Sequence, residues 1–313
     1  MHLILLAFCL TCLPLSAYSW GFFAHQRINR LAVFSLPPEM IAFYKANIEY
    51  ITAHATDADK RRYIIAEEGP RHYIDIDHYG RPPFAELPRS WQEAIGCYSA
   101  DTLNTYGILP WYLEQMMHRL TNAFREGDAA TILKLSADIG HYAGDAHVPL
   151  HACSNHNGQL TGQHGIHGLW ESRIPELMAD KTFSYLAGKA VYIKDVRTYT
   201  WHIVLESAVA ADTVLQQEKI VSNGFPSGRK FAYEKRNGKL VRNYSTAYAR
   251  AYHIALGNMV ERRMIAAIHA TANYWYTAWA NAGMPALEKL LKGYIIQDTF
   301  PAAKDRMIGR QEG

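Results

Sequence analysis

The residues best suited to chemistry lie in one stretch, Asp138-Ile-Gly-His141-Tyr-Ala-Gly-Asp145-Ala-His147-Val-Pro149-Leu-His151. On a helix His141 and Asp145 are four apart and share a face, and Pro149 ends the regular turn so that His151 can swing toward the same centre. A second pair at the same spacing, His167 and Glu171, follows in Ile166-His167-Gly-Leu-Trp170-Glu171. Imidazole and carboxylate are the ligands zinc takes where thiolate is absent, and a catalytic zinc keeps one position open for water. A single pair of this kind is more often a surface ion pair or a capped core histidine. Two pairs close together, with further histidines between them, reverse that weighting and read as two halves of a metal cage. The composition agrees: 15 His accompany 20 Tyr and 7 Trp.

The elements that must position these groups are mostly helical. Apolar residues recur at three-to-four spacing over Ala24 to Phe34, Pro38 to Tyr50, Ser90 to Tyr106, Leu109 to Arg125, Ala129 to His147, Val191 to Ser222 and Ser245 to Asn281. Gly127-Asp128, Pro149 and Gly283 with Pro285 punctuate them. One segment alternates instead: Lys230 to Lys235, then Asn237-Gly238, then Lys239 to Tyr244, the signature of a short β-hairpin. The fold class expected is therefore all-α, a single multi-helix domain with a small surface hairpin. No repeat, low-complexity tract or linker interrupts it.

The 313 residues suffice for a full core. A net charge of +3 is too small a bias to argue by itself for a basic nucleic-acid surface. The chain opens with an apolar run, Leu3 to Leu15, followed by Ala17, Tyr18, Ser19 and Trp20. That run is short for a membrane span, and small residues at Ala17 and Ser19 fit a signal-peptidase site, although the leader carries no Lys or Arg. Cleavage between Ser19 and Trp20, and export to the periplasm or beyond, is the expectation. No later stretch is apolar enough to span a bilayer. Cleavage would leave Cys97 and Cys153, which could form one disulfide in an oxidising compartment.

Taken together, Trp20-Gly-Phe-Phe-Ala-His25, Arg71-His72-Tyr-Ile-Asp75, the string His141 to His151 and the pair His167 and Glu171 resemble the superfamily of S1/P1 nucleases and zinc-dependent bacterial phospholipases C. The resemblance runs from Trp20 to Glu171, in order and with closely matching spacings. It implies a phospholipase C/P1 nuclease-like domain over residues 20–296, between a signal peptide at 1–19 and a tail at 297–313. It also implies three zinc ions. The first would be held by the amino nitrogen and carbonyl oxygen of Trp20 with His25, a ligand set that exists only after cleavage. The second would be held by Asp57, His72 and His141, with Asp145 bridging it to the first, and the third by His151, His167 and Glu171. Asp145 and Asp57 are the candidate catalytic carboxylates, and Asp59 is the reserve for Asp57.

Lys60 and Arg61, with Arg62, form a basic run that reads either as a solvated helix face or as a phosphate clamp. The nuclease branch has an Arg three residues after its first Asp ligand, where counting from Asp57 gives Lys60. Glu171 leans the other way from that branch, which usually shows Asp there. Asp75 suits a carboxylate that orients a ligand imidazole, whereas His54, His78, His147, His156 and His164 lack a matched position. Tyr63, Tyr73, Phe84 and Trp170 are aromatic enough to stack on bases, but such residues are more often core. The function expected is hydrolysis of phosphodiesters, with a phospholipid as substrate ahead of single-stranded nucleic acid. A non-catalytic metal-binding protein on the same fold is the alternative from another class.

Overall fold

The computed structural model describes residues 21–291 apart from Asn237. The expected signal peptide, Trp20 and the expected tail from 297 lie outside the described residues. Within them the fold is all-α, with one two-stranded sheet.

At its centre is α8 (Ala129–Ala146), whose residues from Leu135 to Ala146 are all buried. A helix buried on every side belongs in the middle of a bundle. Around it pack α1 (Phe22–Ala32), α7 (Leu109–Glu126) and α13 (Met259–Asn281). Local chemistry sets the ends of α8: Gly127 closes α7 in the left-handed region at φ 68°, and the Asp128 side chain accepts from the Thr131 N–H to cap α8. Two glycines let α1 approach closely. A Cβ at Gly140 would stand 1.8 Å from Asn29 Oδ1, and one at Gly144 would stand 3.1 Å from the His25 ring. In that space the Asn29 amide donates to the Ala137 carbonyl at 3.0 Å, and from the far side Trp275 Nε1 donates to the Ser136 carbonyl at 2.9 Å.

Several long predicted helices are broken. The segment expected from Pro38 divides at Asn47 into α2 (Pro38–Ala46) and α3 (Ile48–Ala53). Ser99, at φ 67°, divides the segment from Ser90 into α5 (Trp91–Tyr98) and α6 (Ala100–Tyr106). Gly257 and Asn258, both at positive φ, separate α12 (Thr246–Ala255) from α13. A long helix, α11 (Val196–Gly224), begins five residues later than the expected Val191 and is capped by Asp195. Between α3 and α5, the five-residue α4 (Asp57–Arg61) and the 3-10 segment Ala66–His72 run toward the middle of α8. After α8, a 3-10 turn at Pro149–Ala152 leads to α9 (Ile166–Gly168), a wide π-type turn at Leu169–Arg173 and α10 (Ile174–Thr182). The hairpin is present as β1 (Phe231–Arg236) paired antiparallel with β2 (Lys239–Tyr244). Cys97 is exposed, Cys153 is buried, and no disulfide joins the two.

Candidate metal centre

Three clusters of buried imidazoles and carboxylates gather at the inner end of α8. The first joins His25 of α1 with His141 and Asp145. The His25 and His141 rings stack with centroids 3.9 Å apart, and His25 Nε2 lies 3.4 Å from Asp145 Oδ1. The second joins Asp59, His72 and His141. Asp59 Oδ1 stands 3.8 Å from His72 Nδ1 and 3.7 Å from His141 Nε2, while those two nitrogens are 3.1 Å apart. The third joins His151, His167 and Glu171. There His167 Nε2 is 2.9 Å and His151 Nε2 3.4 Å from Glu171 Oε2.

Asp145 connects the clusters. Its Oδ2 lies 3.0 Å from His72 Nδ1 and 3.3 Å from His141 Nε2, and its Oδ1 faces His25 at 3.4 Å and His151 at 4.0 Å.

The donor set of the third cluster shows what it can hold. His151 Nδ1 is 2.5 Å from the His72 carbonyl oxygen, and His167 Nδ1 is 3.0 Å from that of His156. A carbonyl only accepts, so each Nδ1 carries a proton, which in the neutral tautomer leaves the lone pair at Nε2. The two Nε2 atoms are nevertheless 3.2 Å apart and share Glu171 Oε2. Three acceptors pointed at one another, at most 1% exposed, call for a cation between them. His141 is arranged alike, its Nδ1 held 2.9 Å from the Ala55 carbonyl. The buried oxygens of Asp59 and Asp145 Oδ1 have no hydrogen-bond donor among the described residues.

Electrostatics point the same way. Burial disfavours charge on His141, yet the Asp145 and Asp59 carboxylates outweigh it and hold its pKa up to about 9. Burial, with the charge of His141 added, pushes His25 down to about 4. Asp145, which burial alone would raise, is held well below the usual carboxylate range by His141 and His151. The carboxylates favour positive charge beside His141, and Asp145 stays ionised to receive it.

His25, His72, His141, Asp145, His151, His167 and Glu171 thus come together. Asp57 does not join them. Its Oδ2 binds His54 Nδ1 at 2.5 Å and its Oδ1 binds Lys60 Nζ at 2.8 Å, and Asp59 occupies the position expected of Asp57. Two residues along a helix are about 200° apart, so α4 can aim only one of these carboxylates at His72. The clamp residues are also occupied. Lys60 is committed to Asp57, and Arg61 reaches Asp138 Oδ1 at 3.0 Å, Glu68 Oε1 at 3.2 Å and the Tyr142 hydroxyl at 3.2 Å. The basic side chain beside the centre is Arg62, only 1% exposed, with Nη1 3.9 Å from Asp59 Oδ1. It stands three residues after Asp59, a spacing that was visible in the sequence once the right aspartate was chosen.

Sequence reasoning missed Glu68. Fully buried, it receives hydrogen bonds from Arg61, Arg71 and the Tyr142 hydroxyl, and its Oε1 lies 3.7 Å from His72 Nε2. Against the cost of burial, His72 and Arg61 hold its carboxyl far below the usual range. Main-chain carbonyls orient three ligand imidazoles, the role the sequence suggested for Asp75. His54, His78, His147, His156 and His164 stand outside the three clusters. Of the candidate stacking aromatics, Tyr73, Phe84 and Trp170 are 4%, 5% and 0% exposed, which removes them as open platforms. Gly21 donates its backbone N–H to Ser172 Oγ at 2.9 Å, next to Glu171.

No protein-family model and no curated protein matches the chain. Among solved structures it is similar to the alpha-toxin of an avian strain of Clostridium perfringens. That match has 13% identity and a TM-score of 0.47, over 86% of this chain and 65% of the toxin chain. It is also similar to the alpha toxin of Clostridium absonum, at 10% identity and a TM-score of 0.45 over 84% of this chain and 64% of that one. The chain spans just under two thirds of the length of the toxin chains it matches.

Proposed function

We propose that this chain is an exported hydrolase of phosphodiesters that works with three zinc ions and is phospholipase C-like. The observation that carries the reading is the convergence of imidazole nitrogens and carboxylate oxygens in three buried clusters linked by Asp145. Nitrogen and oxygen ligands without thiolate suit zinc. His25 with Asp145 would hold one ion, Asp59, His72 and His141 a second, and His151, His167 and Glu171 the third. Trp20, freed by cleavage after Ser19, completes the first set in this proposal.

Zinc in such a site supplies a water of lowered pKa and Lewis acidity toward the phosphate oxygens. The chain's own residues do the rest. Asp145, ionised and facing all three clusters, holds the attacking water in line and accepts its hydrogen bond. Asp59 takes the second catalytic position first given to Asp57. Glu171 leans toward the phospholipase branch, since the nuclease branch usually shows Asp there. One observation favours the other branch: Arg62, three residues after Asp59, matches the arginine of single-strand nucleases.

Assaying one purified sample on phosphatidylcholine and on single-stranded DNA decides between them. Hydrolysis of the lipid alone supports the leading reading; hydrolysis of the DNA alone moves the chain to the nuclease branch. A full zinc complement with no turnover of either, or of bis(p-nitrophenyl) phosphate, sinks both. Sequencing the mature amino terminus alongside a metal count tests export and the Trp20 ligand.

A further inference from the structure

We infer that the outer face of the β1–β2 hairpin is a docking surface for an anionic lipid bilayer. Register puts Tyr233 opposite Arg242 and Lys235 opposite Leu240, so these four side chains share one face. All four are exposed, Tyr233 and Leu240 at 70% and 71%. The other face, with Ala232, Glu234, Val241 and Asn243, is half-buried. Two large apolar groups held out in water on a two-stranded ribbon do nothing for the fold.

Their surroundings specify the partner. Residues 229–242 hold six Lys and Arg against a single carboxylate, and two of the six, Lys230 and Arg236, pair with Glu218 and Glu176 from elsewhere in the fold. That one carboxylate, Glu234, is bound by Arg173. A tyrosine ring settles at the level of lipid head groups, a leucine gains by entering the acyl boundary, and Lys and Arg stems lie flat while their charges reach anionic phosphates. Nucleic acid would use the same cations, but a leucine offers no ring for a base to stack on. Apolar insertion and a basic cluster are together the two signals that stable adsorption to a bilayer requires.

The hairpin is also fastened to the metal centre. Arg173, two residues after Glu171, donates through Nε to the Tyr244 carbonyl at 3.0 Å and through its other nitrogens to Glu234. A bilayer held by the hairpin therefore keeps the catalytic cluster at the lipid surface. The inference stands apart from the proposed chemistry, because adsorption is read without turnover.

The test is sedimentation of the full chain at 4 °C with phosphatidylcholine vesicles, with and without phosphatidylglycerol. Released phosphate is measured in the same tubes. Adsorption should require the anionic lipid and fall with added salt. Each of Lys235→Ala and Arg242→Ala should weaken it about fivefold, from the worth of one cation at an anionic surface. Tyr233→Ala with Leu240→Ala should weaken it while leaving the salt dependence in place. Lys45→Ala, an exposed cation on α2, serves as the control and should change nothing. All variants alter exposed side chains, and circular dichroism verifies their fold. Equal adsorption to both vesicles, or full adsorption by the hairpin variants, overturns the inference. So does hairpin-dependent binding of a single-stranded oligonucleotide in place of the vesicles.

Discussion

Asp145 Oδ2 and His72 Nδ1 meet at 3.0 Å across 73 positions of chain. The contact joins the end of α8 to the 3-10 segment at Ala66–His72, and buries both groups completely. A carboxylate and an imidazole brought so far and left without water are costly unless something they both bind repays the desolvation.

Substitution at the two aspartates of α4 separates ligand from bystander. Asp59→Asn should abolish metal-dependent hydrolysis of bis(p-nitrophenyl) phosphate and lower the metal count, as should His141→Ala and Asp145→Asn. Asp57→Asn, which disturbs only the contacts with His54 and Lys60, should keep activity within about tenfold, the lower end of what outer-shell partners of a metal site cost. Full activity in Asp59→Asn would refute the assignment.

The clamp on the third cluster should show in metal affinity before it shows in stability. Arg173→Ala releases both Glu234 and the Tyr244 carbonyl beside the segment carrying His167 and Glu171. On the proposed three-zinc assignment, one ion should then bind about tenfold more weakly, the lower end of what an outer-shell support costs, because Arg173 reaches the ligands only through the segment it anchors. Zinc titration by calorimetry reads this directly; three unchanged sites would contradict it.

The close approach of α1 and α8 makes opposite predictions for two glycines. Gly140→Ala puts a methyl into Asn29 and should cost about 1–3 kcal/mol, the range for overpacking a core. Gly96→Ala, inside α5 with nothing within 4 Å, should gain about 0.5–1 kcal/mol from helix propensity. Urea unfolding of each variant measures both. Equal shifts would mean that the interface relaxes freely.

Acid should weaken the attachment of the hairpin. Glu218 is buried, which raises its pKa, but hydrogen bonds from Lys230, Tyr248 and Gln163 prevail and lower it. A carboxylate depressed in the fold stabilises above its unfolded pKa of about 4.3, and loses that contribution as pH falls through the folded value. Stability measured from pH 6 downward should therefore decline, and Glu218→Gln should flatten the decline below about pH 4.3. A variant with the same acid limb as the parent would exclude Glu218 as its source.

Much of this was legible in the sequence because it lies within single turns. His141 with Asp145, and His167 with Glu171, are four apart, and the period of a helix places them on one face. The hairpin showed through Asn237-Gly238 between alternating runs. The choice between Asp57 and Asp59 was not legible, since it depends on the rotational phase of a five-residue helix packed by its neighbours. Glu68 was hidden for another reason: it sits in a 3-10 segment with no apolar period, and its partners Arg61, Tyr142 and His72 are assembled only by the tertiary fold. The breaks at Ser99 and Gly257-Asn258 interrupt apolar patterns that continue across them.

Because α8 packs on α1 and α13 while aiming His141 and Asp145, its length is under tighter control than its composition. One residue inserted between Leu133 and Gly140 would turn both ligands by about 100° relative to the packed half of the helix. Asp145 would leave His25, His72 and His151 together, undoing the first two clusters and their link to the third with a single codon. The strands β1 and β2 carry none of these side chains, so their turn can lengthen or shorten without that penalty. Tolerance to insertion should thus vary steeply along this chain, from the loop ends of the surface ribbon to none at all in the middle of its central helix.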